Sequence, residues 1–249
     1  MLVVVLRNLK EVSVLKARVK FEKLDSMKFV GHLDMMRYFQ KAIRRAGIDI
    51  AYSGGFSPHM IMSFASPLGV GVTSSAEYFD IELQSAMNSE EMVKRFNSVM
   101  ANGCRVLSVR EIPDAKSSKG MSLVAATDYY IDFRDDLAPK GDWKNALEGF
   151  FNQEQIIVHK KTKRSEADVD IKPFIYKLSS VEGKIFIQVA SGSANNLKPE
   201  PVVEAIYRFL GEEMPPFALM VHRQEVYADI GKEGVRELVT LESLGEEIE

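Results

Sequence analysis

Apolar and charged residues alternate along residues 17–23 (ARVKFEK), the two-residue period of a half-buried strand. Val19 and Phe21 fall on one face, and Arg18, Lys20 and Glu22 on the other. The period then changes. Across residues 31–46 (GHLDMMRYFQKAIRRA), Leu33, Met36, Phe39, Gln40 and Ile43 recur at steps of three and four, which predicts a helix, and Gly47 stands where a helix end belongs. Extended runs follow at 48–53, 61–65 and 76–83, punctuated by Gly54, Gly55, Pro58, Pro67, Gly69 and Gly71. Asn88 or Ser89 is placed to cap a helix over 89–101, with Glu90 and Glu91 in its first turn. Gly103 closes that helix, and 104–112 reads as a strand.

The second half echoes this order. Strands are expected at 128–134 (DYYIDFR), 156–162, 169–178, 184–190 and 218–227, and helices at 141–152 and 199–210. Strand, helix, strands, helix, strand is the split βαβ or ferredoxin-like order. The expected fold class is therefore α+β, two tandem ferredoxin-like domains at 1–115 and 123–228. A polar, turn-rich linker (116–122) joins them, and an acidic tail (229–249) follows. Residues 1–15 read as an extra strand or a leader.

Composition narrows the class. Of 249 residues, 46% are apolar and 27% charged, which excludes a disordered or collagen-like chain. A single cysteine, Cys104, excludes an internal disulfide and an iron–sulfur cluster held by this chain, and after Gly103 it reads as a small buried hydrophobe. No apolar run is long enough to span a membrane, and the apolar start lacks a signal peptide's basic lead, so a cytoplasmic bacterial protein is expected. The four histidines show no metal-ligand spacing, and neither a metal nor a cofactor is expected. Charge is uneven. Residues 1–47 carry 11 Lys or Arg against 4 Asp or Glu, whereas 225–249 carry 2 against 8. The first segment is thus a candidate anion-facing element.

Several words in the first half are unusual and come in a fixed order: residues 29–47 (FVGHLDMMRYFQKAIRRAG), 50–58 (IAYSGGFSP), His59, 63–68 (SFASPL), 69–71 (GVG) and 77–83 (EYFDIEL). With 168–173 (DVDIKP) they resemble the radical-SAM-linked family of uncharacterised bacterial proteins. Members of that family commonly have Ser where this chain has Gly31, and Asn where it has Ser57; neither difference removes an ionisable group. The resemblance implies a radical-SAM protein as partner and an RNA-processing neighbourhood. It implies no established activity.

Three constellations carry candidate chemistry. On the first helix, Arg37, Lys41, Arg44 and Arg45 fall along one stripe that an RNA phosphate chain could follow, with His32 and Asp34 at the helix start. The loop Tyr52, Gly54, Gly55, Phe56, His59 combines backbone freedom with aromatics able to stack on a base. His159, Lys160, Lys161, Lys163 and Arg164 form a compact basic segment. On the last strand, His222 beside Arg223 would have its charged form disfavoured.

Two functional classes compete, with a third behind them. The favoured one is a non-catalytic RNA-binding or adaptor subunit for a radical-SAM partner. The alternative is a metal-independent endoribonuclease using His32 or His59 as general acid and base, flanked by Arg45 or Tyr52, by analogy of architecture with CRISPR RNA-processing nucleases. A pure protein-interaction subunit is the third.

Overall fold

The computed structural model describes residues 14–85, 87–161, 166–232 and 234–249; of Lys160 and Lys161 only the backbone is described. The expected strand or leader over 1–15 falls almost wholly outside these residues, as do Lys163 and Arg164.

The first half runs β1 (Leu15–Lys23), α1 (His32–Ala46), β2 (Met62–Phe64), β3 (Thr73–Leu83), α2 (Ser89–Val99), β4 (Cys104–Glu111). The strands lie in the order β4-β1-β3, with β2 on the other edge of β3, and all these pairs are antiparallel. The alternation read from residues 17–23 decides the layering. Ala17, Val19 and Phe21 point at the helices and are buried with Met35, Phe39, Ala42 and Ile43 of α1 and Met92 and Phe96 of α2. This places the apolar stripe of α1 slightly off the expected one: Leu33, in the first turn, is exposed. Gly47 closes α1 with φ 65°, a left-handed value glycine adopts without strain. Asn88 caps α2, its side chain accepting from Glu91 N at 2.8 Å. Residues 48–53 form only isolated bridges, Ile50 to Leu83 and Tyr52 to Met60.

A short helical turn, α3 (Gly120–Leu123), leads into the second half: β5 (Val124–Phe133), α4 (Trp143–Phe151), β6 (Ile157–Lys161), β7 (Glu166–Asp170), β8 (Ile175–Val181), β9 (Lys184–Ala190), α5 (Pro199–Phe209), β10 (Leu219–Asp229) and β11 (Leu238–Thr240). The extended run expected over 169–178 is two strands. Pro173, which lacks an N–H and has a fixed φ, sits in a 3-10 turn at Lys172–Phe174 and breaks it. The piece before the break pairs with β6 as a separate ribbon, and the piece after it pairs with β9.

The fold is α+β, built on one nine-stranded mixed sheet rather than two separate ones. β10 lies antiparallel to β5 and, through His222 beside Thr73 and Arg223 beside Ser74, parallel to β3. The halves are thus joined edge to edge. The registers put α1, α2, α4 and α5 on the same face, since Val221 and Tyr129 contact the second-half core while Arg223 on that face reaches Glu77 of the first half.

The other face is covered over the first half and the adjoining ends of β5 and β10. There Arg18, 1% exposed, bonds Asp80 at 2.8 Å, Leu241 O at 3.0 Å and Ser118 O at 2.6 Å. Lys20 meets Glu225 at 2.8 Å and Glu242 at 2.5 Å. The covering pieces are the residues expected as a linker and as an acidic tail. Gly120 N donates to Asp80 at 2.7 Å, and a Cβ there would lie 2.9 Å from that of Ala65, so the "linker" is fastened in place. Leu241 and Ile248 are buried, and Glu111 pairs with Glu246, so the end of the chain is packed structure and not a solvated tail. No described helix is long and apolar enough to cross a membrane.

Candidate nucleic-acid interface

With one side of α1 against the sheet, its basic side is left facing outwards. Lys41, Arg44 and Arg45 are exposed and, with Tyr38 and the α2 end Val99–Met100–Ala101, line a groove of about 650 Å³. Its wall is pinned. Tyr38 Oη accepts from Ala101 N at 2.7 Å, and Arg45 Nη2 donates to Val99 O at 2.9 Å. Among the described residues, no acid lies within ion-pair distance of Lys41, Arg44 or Arg45. Arg37 is set apart: it does not line the groove, and it pairs with Asp34 at 3.0 Å one turn earlier.

The remaining expected residues lie elsewhere. His32 packs edge-on against Phe64, ring centres 5.1 Å apart, in a tight space shared with Lys23 and Glu77. Thirteen residues of helix separate it from Arg45, roughly 20 Å at 1.5 Å per residue, so the two cannot act on one phosphate. His59 closes the base of the Gly-Gly loop, its Nδ1 2.8 Å from Ser53 Oγ and its N–H donating to that oxygen at 3.1 Å. The loop tip is open: Phe56 is fully exposed, Gly54 and Gly55 have nothing near them, and Tyr52 is exposed. His159 is held by Asp168, Nδ1 to Oδ1 at 3.0 Å, in a ribbon whose Val158 packs into the second-half core. No described residue of the ribbon lines the α1 groove. Lys160 and Lys161 stand opposite Ala167 and Glu166 in its backbone register.

Cys104 is buried, and burial pushes its thiol up to about 12, which leaves no thiolate for nucleophilic work. Among the described residues no three His, Cys, Asp or Glu side chains come together as metal ligands would.

Reasoning from sequence missed the seam between the halves. There Arg223, 3% exposed, pairs with Glu77 and donates to Ser66 O at 2.6 Å, beside Tyr129. His222, the neighbouring residue, points to the opposite face, where its ring nitrogens lie 2.9 Å from Thr73 Oγ1 and 2.9 Å from Ser75 Oγ. Its pKa is lowered, as expected, but the causes are burial and then Lys184; Arg223 is on the other side of the sheet. Strand alternation, applied to residues 222 and 223, was the available signal.

Residues 16–199 match the family described as "Uncharacterized protein conserved in bacteria (DUF2344)". The chain belongs to this family. No curated protein matches it. Among solved structures, one titled "Crystal Structure of a Cbf5-Nop10-Gar1 Complex" is similar at 11% identity and a TM-score of 0.43, over 84% of this DUF2344 chain and 48% of the other. The chain therefore spans about half the length of that relative, and a likeness of this degree carries no argument about function.

Proposed function

We propose that this DUF2344 protein is a non-catalytic RNA-binding or adaptor subunit, cytoplasmic, that serves RNA modification or processing beside a radical-SAM protein. One observation carries the RNA part: Lys41, Arg44 and Arg45 converge on a single groove and are not neutralised by any described acid. Two Arg side chains offer paired N–H donors to phosphate oxygens, and Tyr38 offers an aromatic wall. Neither His32 nor His59 lines this groove, which favours binding over hydrolysis. The radical-SAM partner rests on the sequence resemblance alone. In the same reading, the two halves are ferredoxin-like units, residues 14–115 and 123–228, fused through β3 and β10. Their strand orders, β4-β1-β3-β2 and β10-β5-β9-β8, support it.

The test is fluorescence anisotropy with single-stranded and hairpin RNAs across 50–300 mM salt. Binding whose affinity falls steeply with salt, and weakens in Lys41→Ala/Arg44→Ala, supports the reading. Absence of salt-dependent binding to any RNA sinks it. Cleavage in EDTA that His32→Ala or His59→Ala abolishes would replace it with the endoribonuclease. Co-purification with the radical-SAM neighbour, with and without nuclease treatment, decides whether RNA bridges the two.

A further inference from the structure

The face of the sheet opposite α1, α2, α4 and α5 is plugged over the first half but holds a cleft over the second. Across three strands, Lys177 of β8, Gln188 of β9 and Asp128 of β5 stand side by side in register. After β10 the chain turns sharply, Asp229 Oδ1 accepting from Gly231 N at 3.0 Å and Glu237 N at 2.9 Å. That turn carries Arg236 back over the sheet, its guanidinium carbon 3.4 Å from the centre of the Tyr176 ring. Between turn and sheet lies a cleft of about 420 Å³ lined by Asp128, Tyr176, Lys177, Gln188, Tyr227 and Arg236.

Asp128 is the informative residue. It is 6% exposed. Tyr227 donates to its Oδ2 at 2.8 Å, while among the described residues Oδ1 receives no well-formed hydrogen bond, although the Gln188 side chain lies close by. A buried acceptor without a donor is costly, and such groups in folded proteins commonly mark a missing hydrogen-bonding partner. The surroundings restrict what that partner is. A free cation is disfavoured, because Lys177 and Arg236, the latter also 4.0 Å from Asp229, already bring two positive charges to the Asp128 carboxylate. Among the described lining residues a metal ion would find one carboxylate and no second acid. A flat, neutral group with N–H donors suits the carboxylate, the Gln188 amide and the flat Tyr and Arg surfaces together. Phosphates attached to that group would suit the two cations.

We propose that this cleft binds one unpaired nucleobase of the RNA, with Asp128 accepting from an N–H of the base edge. It rests on the RNA-binding reading above and deepens it: the α1 groove holds backbone, and the second-half face reads a base. Guanine suits the site most fully, because its N1–H and N2–H donors lie side by side and its O6 can accept from Gln188.

The experiment compares two labelled 12-mers binding to the full chain at 0.15 M salt: an all-abasic ribose-phosphate chain, and the same chain with one central guanosine. The guanosine chain is expected to bind about tenfold tighter, within the range of a stacked and hydrogen-bonded base. Asp128→Asn, nearly isosteric, and Tyr176→Ala should each bring that ratio close to one and leave the abasic affinity unchanged. Lys41→Ala/Arg44→Ala should weaken both chains equally and leave the ratio intact. If wild type binds both chains alike, or if the ratio survives both cleft variants, the base site is overturned while RNA binding through the groove stands. If neither chain nor natural RNA binds, both fail.

Discussion

Nε of Arg223 lies 2.8 Å from Oε1 of Glu77, and only 3% of either side chain is exposed. The two residues come from opposite halves of the chain, where the parallel contact of β10 with β3 is just two residue pairs long. A joint with so few ladder bonds depends on its side chains. Removing one member of a buried ion pair leaves the other uncompensated, a loss of about 3–5 kcal/mol. Arg223→Met or Glu77→Leu should each lower the urea midpoint accordingly. The double replacement Glu77→Leu/Arg223→Met should lose less than the two single changes combined, because no buried charge is left alone. Strict additivity would mean that the pair is not coupled.

On the reverse face the same joint is expected to be pH-sensitive. Burial, reinforced by Lys184, lowers the pKa of His222, so the fold holds it as a neutral imidazole between Thr73 and Ser75. The unfolded chain takes up the proton first, near the ordinary histidine value of about 6.5. The stability His222 contributes is therefore present above that value and lost as pH falls through the depressed folded value. Thermal melts at pH 8, 6.5 and 5 should show wild type losing stability relative to His222→Gln towards acid. Parallel curves for the two proteins would contradict this.

Much of the architecture was legible because it rests on local periodicity. The alternation at 17–23 identified β1 and its two faces, and residues 31–47 identified α1 with its glycine end. The joining of the halves was not legible, since Thr73 and His222 are far apart in sequence and nothing local announces their pairing. The burial of the chain's end was hidden by its composition. Eight acids in 25 residues look like a solvated tail, yet Glu225 and Glu242 meet Lys20, and Leu241 fills the space beneath. Of the candidate sites, the Lys41–Arg45 stripe follows from helical geometry and is gathered as helical spacing requires. The Asp128 cleft needs β5, β8, β9 and the turn after β10 at once, and no spacing rule finds it.

The final segment has a testable structural role. Leu241 is fully buried, its carbonyl accepts from Arg18, and Ile248 exchanges bonds with Ser89 beside the first-half core. Leu241→Ala should cost about 2–5 kcal/mol, the usual loss for emptying a buried leucine site. A solvated tail would lose under about 0.5 kcal/mol for the same change. Denaturant titration separates these outcomes. Truncation after residue 237 should also strip the cover from Arg18 and Lys20, with a larger fall in the midpoint than Leu241→Ala gives.

Asp128 offers a contrast, because its removal should strengthen the fold. Burial raises its pKa and outweighs the opposing influence of the nearby Gln188 side chain and the Tyr227 hydroxyl. A carboxyl whose folded value is raised favours folding while neutral and opposes it once ionised. Below the ordinary aspartate value of about 3.9 it is neutral in both states; as pH rises through the folded value, the penalty reaches its full size. Asp128→Asn keeps an oxygen for the Tyr227 hydroxyl and carries no charge to bury. The variant should therefore melt higher than wild type at pH 7–8, by roughly 2–4 °C for each kcal/mol gained, and the gain should fade towards pH 3.5. A residue that destabilises its own fold at neutral pH, and whose loss also removes base discrimination, would be held there by what it binds. Equal melting of the two proteins at every pH would mean that Asp128 is already satisfied in the free protein, and the reason to place a base beside it would go.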